Sequence, residues 1–137
     1  MSPIASNSLN FIGRVGLVAL FLPAGWSKLT GFGATVGYIE SVGLPLATLA
    51  ALIAIFIEVV GGIAILVGYF TRVSALGLAL FTLVASVLFH PYWAVAADQA
   101  FVQQLLFMKN IAIVGGLLLL AAHGPGRFSL EAARNKA

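Results

Sequence analysis

There is no cysteine anywhere in the chain. Disulfides, thiolate metal sites and thiol redox relays are therefore excluded within it. Charge is almost as scarce: 8% of the 137 residues are charged, against 61% hydrophobic. A soluble domain of this length needs a polar exterior that such a composition cannot supply. The seven basic and four acidic residues leave a net charge of +3. So few cations form no nucleic-acid stripe, and nucleic acid is not an expected partner; the basic excess reads as membrane topology. No Walker loop, dinucleotide fingerprint, zinc motif or Ser–His–Asp arrangement is present.

What is there is apolar and long. Four segments, about 9–26, 46–69, 73–89 and 101–122, each approach the ~20 residues that a membrane-spanning helix requires. The breaks between them carry turn chemistry: "TGFG", "VGLP", "GYFTR", "HPYW" and "HGPG". The first segment lacks an A-x-A-like cleavage site and reads as a retained span. The expected fold is an all-α, four-helix integral membrane bundle forming a single domain over 1–137, with a tail over 123–137. Segment 32–43 is equally compatible with a short helix along the interface and with plain loop.

Four spans put both termini on one side. That side collects Arg14, Arg72, Arg127, Arg134 and Lys136, while the other holds Lys28 with Glu40 and Asp98. The positive-inside rule then places both termini in the cytoplasm. Trp26, Tyr38, Tyr92 and Trp93 gather at the outer interface, where an aromatic belt belongs. Ser129, ahead of "LEAARNK", is a candidate cap for a short cytoplasmic helix. A weak internal repeat also appears. "RVGLVALF" (14–21) resembles "RVSALGLALF" (72–81), and "GGIAILVGYFTRVS" (61–74) resembles "GGLLLLAAHGPGRFS" (115–129). Two like-oriented helical hairpins would produce both matches.

The stretch "LLFMKNIAIVGGLLLL" (105–120) sets the functional question, because Lys109 and Asn110 lie inside an otherwise apolar span. An unpaired charge at mid-helix costs about 2.5–3.5 kcal/mol on insertion scales. Lys109 precedes Ala122 by 13 residues and Glu58 precedes Gly68 by ten. At 1.5 Å per residue these are depths of ~20 and ~15 Å from the inner end. Glu58 shares its face with Ala51, Ala54, Gly61, Gly62 and Ile65, and Lys109 with Ala112, Ile113 and Gly116. Both faces allow close helix approach, so Glu58 and Lys109 are expected to pair inside the bundle. Such a pair reads either as a strut that sets helix register or as part of a polar pocket for a small molecule such as a quinone. His90, in "LFHPYW", is either a hydrated interfacial histidine or a proton-exchanging group at the pocket mouth. It stands ~30 Å across the core from His123, too far for the two to ligate one haem. Lys28 and Arg14 read as snorkelling side chains and Asp98 as a solvated loop acid.

Taken in order, "AGWSKLTGF", "IEVVGGIAILVGYFTRVSAL", "LFH", "FMKN" and "GGLLLLAAHGPGRFSL" resemble the DoxX family of small bacterial membrane proteins, from about Arg14 to Leu130. The likeness is to compact inner-membrane members without a soluble domain. The resemblance implies a four-helix membrane protein. Among such proteins some are linked to thiosulfate:quinone oxidoreductase, and others to membrane oxidoreductase assemblies in thiol or oxidative stress. By position, the family's polar signature falls on Lys28, Glu58, Arg72, His90, Lys109 and Asn110, and its glycines on Gly25, Gly61, Gly62, Gly115 and Gly116. The leading expectation is an accessory membrane component associated with quinone or redox chemistry, not a stand-alone enzyme. Its binding residues would be Glu58, Lys109, Asn110, His90 and Lys28, with no catalytic or metal-ligating residue. The cofactor is unknown, with quinone a candidate and no haem, metal or nucleotide signature. Expected partners are the lipid bilayer, membrane or periplasmic redox proteins, and a second copy of the chain. A small-molecule transporter and a pure assembly factor are the alternatives.

Overall fold

The computed structural model describes residues 2–135. Lys136, counted above among the basic residues of the tail, lies outside the described residues. Six helices follow one another: α1 (Pro3–Thr30), α2 (Phe32–Ser41), α3 (Ala47–Val67), α4 (Thr71–Phe89), α5 (Ala97–His123) and α6 (Leu130–Arg134). α1, α3, α4 and α5 are long and apolar enough to cross a membrane. Their outward faces carry large apolar side chains such as Leu52, Phe56, Leu76 and Leu80, as a chain dissolved in lipid requires. α1 begins before the first apolar run because Ser2 Oγ accepts from Ala5 N (3.3 Å) and Pro3 occupies the first turn.

α1 packs on α3 and α4 on α5, with α3 and α4 joining the two pairs. The main core runs through all four long helices and includes Val18, Phe21, Ile65, Leu78 and Leu117. Residues 32–41 form a helix rather than a loop. Ile39 of α2 buries against Ala47 and Ala51 of α3, so α2 is docked on the bundle as part of a second, smaller core. Tyr38 stacks on Phe89 with ring centroids 5.4 Å apart, while Trp26 and Trp93 remain exposed at the same end.

The end that carries both termini is closed by arginines. Arg14, 1% exposed, donates to Ile65 O (2.9 Å), Leu66 O (3.1 Å) and Phe128 O. Two of these are among the last carbonyls of α3, which have no partner within the helix. Arg72 does the same for α5, donating to Ala121 O (2.7 Å) and Ala122 O (2.6 Å). Each arginine opens the first span of a hairpin and caps the second span of that hairpin. This matched pair of caps is the structural form of the internal repeat. Arg14 is thus not a snorkelling side chain but a buried cap; the orphan carbonyls offer its guanidinium more than the lipid interface does.

The tail folds back on this end. Ser129 Oγ accepts from Ala132 N (3.2 Å) and starts α6 as expected. Glu131 N donates to Gly68 O (3.0 Å), and Glu131 Oε1 accepts from Thr71 N (3.0 Å), capping α4 from a distance. Gly68 has φ +71, and a Cβ there would stand 2.3 Å from Ser129 Cβ and 2.6 Å from Arg14 Nη1. Only glycine fits at that crossing. Asn10 Nδ2 donates to Gly124 O (3.0 Å) and Arg127 N to Asn7 Oδ1 (2.9 Å), tying the start of α1 to the end of α5.

Arg14→Leu removes three charge-assisted caps at once and leaves carbonyls unpaired away from water. It should destabilise the protein by about 3 kcal/mol or more, read as a lowered melting temperature in mild detergent. Arg14→Lys should recover little, because one ammonium cannot reproduce the planar fork.

Candidate binding site

Glu58 lies near the middle of α3 and is 5% exposed. Its partner is Lys28, not Lys109. Lys28 Nζ lies 3.0 Å from Glu58 Oε1 and 2.8 Å from Oε2, so a single ammonium engages both carboxylate oxygens. The expected Glu58–Lys109 pair is therefore corrected, and so is the outward snorkelling of Lys28. Depth along two helices says nothing of which helices are neighbours. α3 packs on α1 and α4, whereas α5 packs mainly on α4. Glu58 accordingly faces α1.

Gly25 makes that facing close. A Cβ at this position would come within 2.7 Å of Val59 Cγ2 and 3.1 Å of Glu58 Cβ. At Gly62 a Cβ would come within 2.8 Å of Leu22 Cδ2. The two glycines bring the backbones of α1 and α3 together. Lys28, three residues beyond Gly25 and so on the same face, then reaches Glu58 with its stem along the helix surface. Thr35, from α2, sits against the Lys28 turn through its Oγ1, which donates to Gly31 O (3.2 Å).

Beside the pair lies a cavity of about 500 Å³. Four of the five residues singled out in the sequence line it: Lys28, Glu58, His90 and Asn110. Lys109 does not; it is exposed on the outer face of α5, one residue and so about 100° away from Asn110. The rest of the lining is mainly apolar and comes from α1, α2, α3 and α4. It includes Ile53 and Val84, which are exposed on the outside of the bundle, so the cavity is continuous with the lipid side. His90 Nδ1 is 2.8 Å from Gln103 Oε1. With that oxygen as acceptor Nδ1 carries the hydrogen, which leaves Nε2 of the neutral ring as an acceptor.

Thr82 is the residue the sequence reading missed. It is 5% exposed, lines the same cavity, and its Oγ1 has no hydrogen-bond partner. A hydroxyl on an apolar helix ordinarily bonds the carbonyl one turn back, as Ser86 Oγ does to Thr82 O (2.6 Å). Thr71 Oγ1 is also buried and unpaired, but away from this cavity, and nothing in the sequence marks either threonine.

Fold and site together define a small four-helix membrane protein with a largely apolar cavity, set with a few polar side chains, beside an intramembrane ion pair. The profile of the DoxX family matches residues 9–91. Inner membrane protein YqjF of Escherichia coli (strain K12) is 43% identical over 125 residues, 91% of this chain and 91% of its own length. Inner membrane protein YphA of the same organism is 41% identical over 123 residues, 90% of this chain and 88% of its own length. No solved structure matches the chain. The chain belongs to the DoxX family and is a small integral inner-membrane protein.

Lys28→Met strands a buried carboxylate and should cost roughly 3–5 kcal/mol, seen as reduced accumulation and a lowered melting temperature in detergent. Adding Glu58→Leu should recover much of the loss, since a packed apolar pair is often neutral. Lys109→Met should leave stability of the isolated chain within about 0.5 kcal/mol; equal damage from both lysine changes would contradict the pairing.

Proposed function

We propose that this protein is an accessory membrane component that holds a small lipid-soluble carbonyl or hydroxyl compound, of the quinone class, in the cavity beside Lys28 and Glu58. The observation that carries this reading is the orphaned hydroxyl of Thr82. A nine-tenths-buried polar group without a partner is costly in an apolar setting, and a ligand oxygen in the cavity would relieve it. Asn110 and Lys28 supply further donors in the lining, and His90 Nε2 an acceptor. A cavity of about 500 Å³ is of the size that encloses a small organic ligand, ~300–1,000 Å³. Its continuity with the lipid side suits a molecule dissolved in the bilayer. The role in redox chemistry is binding and presentation.

A transporter reading needs Glu58 free to exchange a proton or cation, and both its oxygens are taken by Lys28. A pure assembly role leaves the cavity and Thr82 without a use. The same reading assigns both termini to the cytoplasm, because Arg14, Arg72, Arg127 and Arg134 all lie towards the end that carries them.

Protein purified in mild detergent should release a quinone-class molecule on solvent extraction, identified by mass spectrometry. Thr82→Val and Asn110→Leu should each lower its occupancy about tenfold, the loss of one good hydrogen bond to a buried group, with unchanged melting temperature of the apo protein. Recovery of phospholipid alone, or full occupancy in both variants, would refute the pocket.

Topology is checked separately. A reporter fused after Arg134 should be active as a cytoplasmic reporter and one inserted at Asp98 as an external one; the reverse pattern would overturn the orientation.

A further inference from the structure

Lys109 is the thirteenth residue of α5, Ala97–His123. At 1.5 Å per residue it stands roughly 18 Å from one end of the helix and 21 Å from the other. A helix of this length exceeds the ~30 Å hydrocarbon core, so Lys109 sits at mid-depth. Its stem, about one helical turn long, does not reach either interface. The side chain is exposed, and the sole ion pair among the described residues is Lys28–Glu58. Around it on the outer face are Leu105 and Met108, 55% and 48% exposed. This face, left as it is, would present a bare ammonium to lipid at the costliest depth.

The chain holds four acidic residues: Glu40, Glu58, Asp98 and Glu131. Glu58 is bonded to Lys28 through both oxygens. Glu40 belongs to α2, at the end away from the termini, and Glu131 caps α4 at the end that carries them. Asp98 is in the first turn of α5, eleven residues from Lys109, or about 16 Å. A second copy in parallel brings its own Lys109 to the same depth. A second copy inverted in the membrane does too, because inversion leaves the mid-plane in place. Neither arrangement offers Lys109 a free carboxylate.

The exposed arc of α5 runs from Lys109 past Ala112, about 60° round the helix, to Gly115, about 120° round. Gly115 is exposed, and a Cβ built on it would meet nothing within 4 Å. A mid-helix glycine that serves no contact within its own chain, with Ala112 beside it, leaves room for another helix backbone one to two turns from Lys109.

We propose that the Lys109 face of α5 docks a transmembrane helix of another membrane protein, one that carries an Asp or Glu near its middle. The carboxylate neutralises Lys109 at mid-depth, and Ala112, small and on the same face, lets the partner backbone come close. This interface is independent of the cavity, which Lys109 does not line.

The test uses the full chain in phosphatidylcholine vesicles, with a donor dye on a single introduced cysteine, Ser2→Cys. The probe is a synthetic Leu/Ala transmembrane peptide with one central Glu and an acceptor dye; peptides with central Gln or Lys are the controls. The Glu peptide should associate at least tenfold more tightly than the Gln peptide. Lys109→Met should abolish that preference and Lys109→Arg should keep it, both variants retaining the melting temperature of the parent chain. In native membranes, a photoreactive residue at Leu105 should form an adduct with a protein whose span has a central acid, and Lys109→Met should remove the adduct. Equal binding of Glu and Gln peptides, a preference that survives Lys109→Met, or displacement of the Glu peptide by equimolar oleate would overturn the proposal. So would absence of any adduct, or an adduct only with a second copy or with an acid-free span.

Discussion

A carboxylate half-way along a lipid-embedded helix must meet a cation from its own bundle, and here Lys28 supplies it from the end of α1. Much of the far half of the molecule is arranged around that contact. Gly25 and Gly62 let α1 and α3 approach closely enough for the ammonium to engage both oxygens of Glu58. The turn after Lys28 leads at once into α2, which folds down on α3 through Ile39, Ala47 and Ala51. Buried ion pairs rarely add much net stability, because desolvation offsets attraction. What this one provides is register: it permits one rotation and one depth of α1 against α3.

The two ends of the bundle are built on different principles. At the end with the termini Arg14 and Arg72 cap the two hairpins, and the tail is sewn over both through Gly68 and Glu131. Each cap donates to carbonyls in the last turn of a span, where the helix ladder runs out of donors. The other half holds a cavity of about 500 Å³ whose polar groups come from five separate helices and one loop.

α5 is where the two proposals meet. Asn110 faces the cavity and Lys109, its neighbour in sequence, faces outward. Consecutive helical residues point about 100° apart, so one stretch of backbone serves a ligand wall and a docking face. On this reading, a partner seated on the outer face would bear directly on the helix that holds Asn110.

Much of this architecture was legible in the sequence. Apolar runs of spanning length force helices, because only helices and closed barrels satisfy their backbone in lipid. The matching strings from Arg14 and Arg72 foretold two like hairpins, and Ser129 marked the start of α6. The mid-span charges, Glu58 and Lys109, could be recognised as anomalies, and Lys28, His90 and Asn110 as polar residues worth placing. The partner of Glu58 could not. Rise per residue determines depth from the chain alone, but which helices adjoin and which faces meet depends on packing among all four. Packing gave Glu58 to Lys28, left Lys109 outside, and set the unpaired hydroxyl of Thr82, alone among the unpaired buried groups of the described residues, in the wall of the cavity.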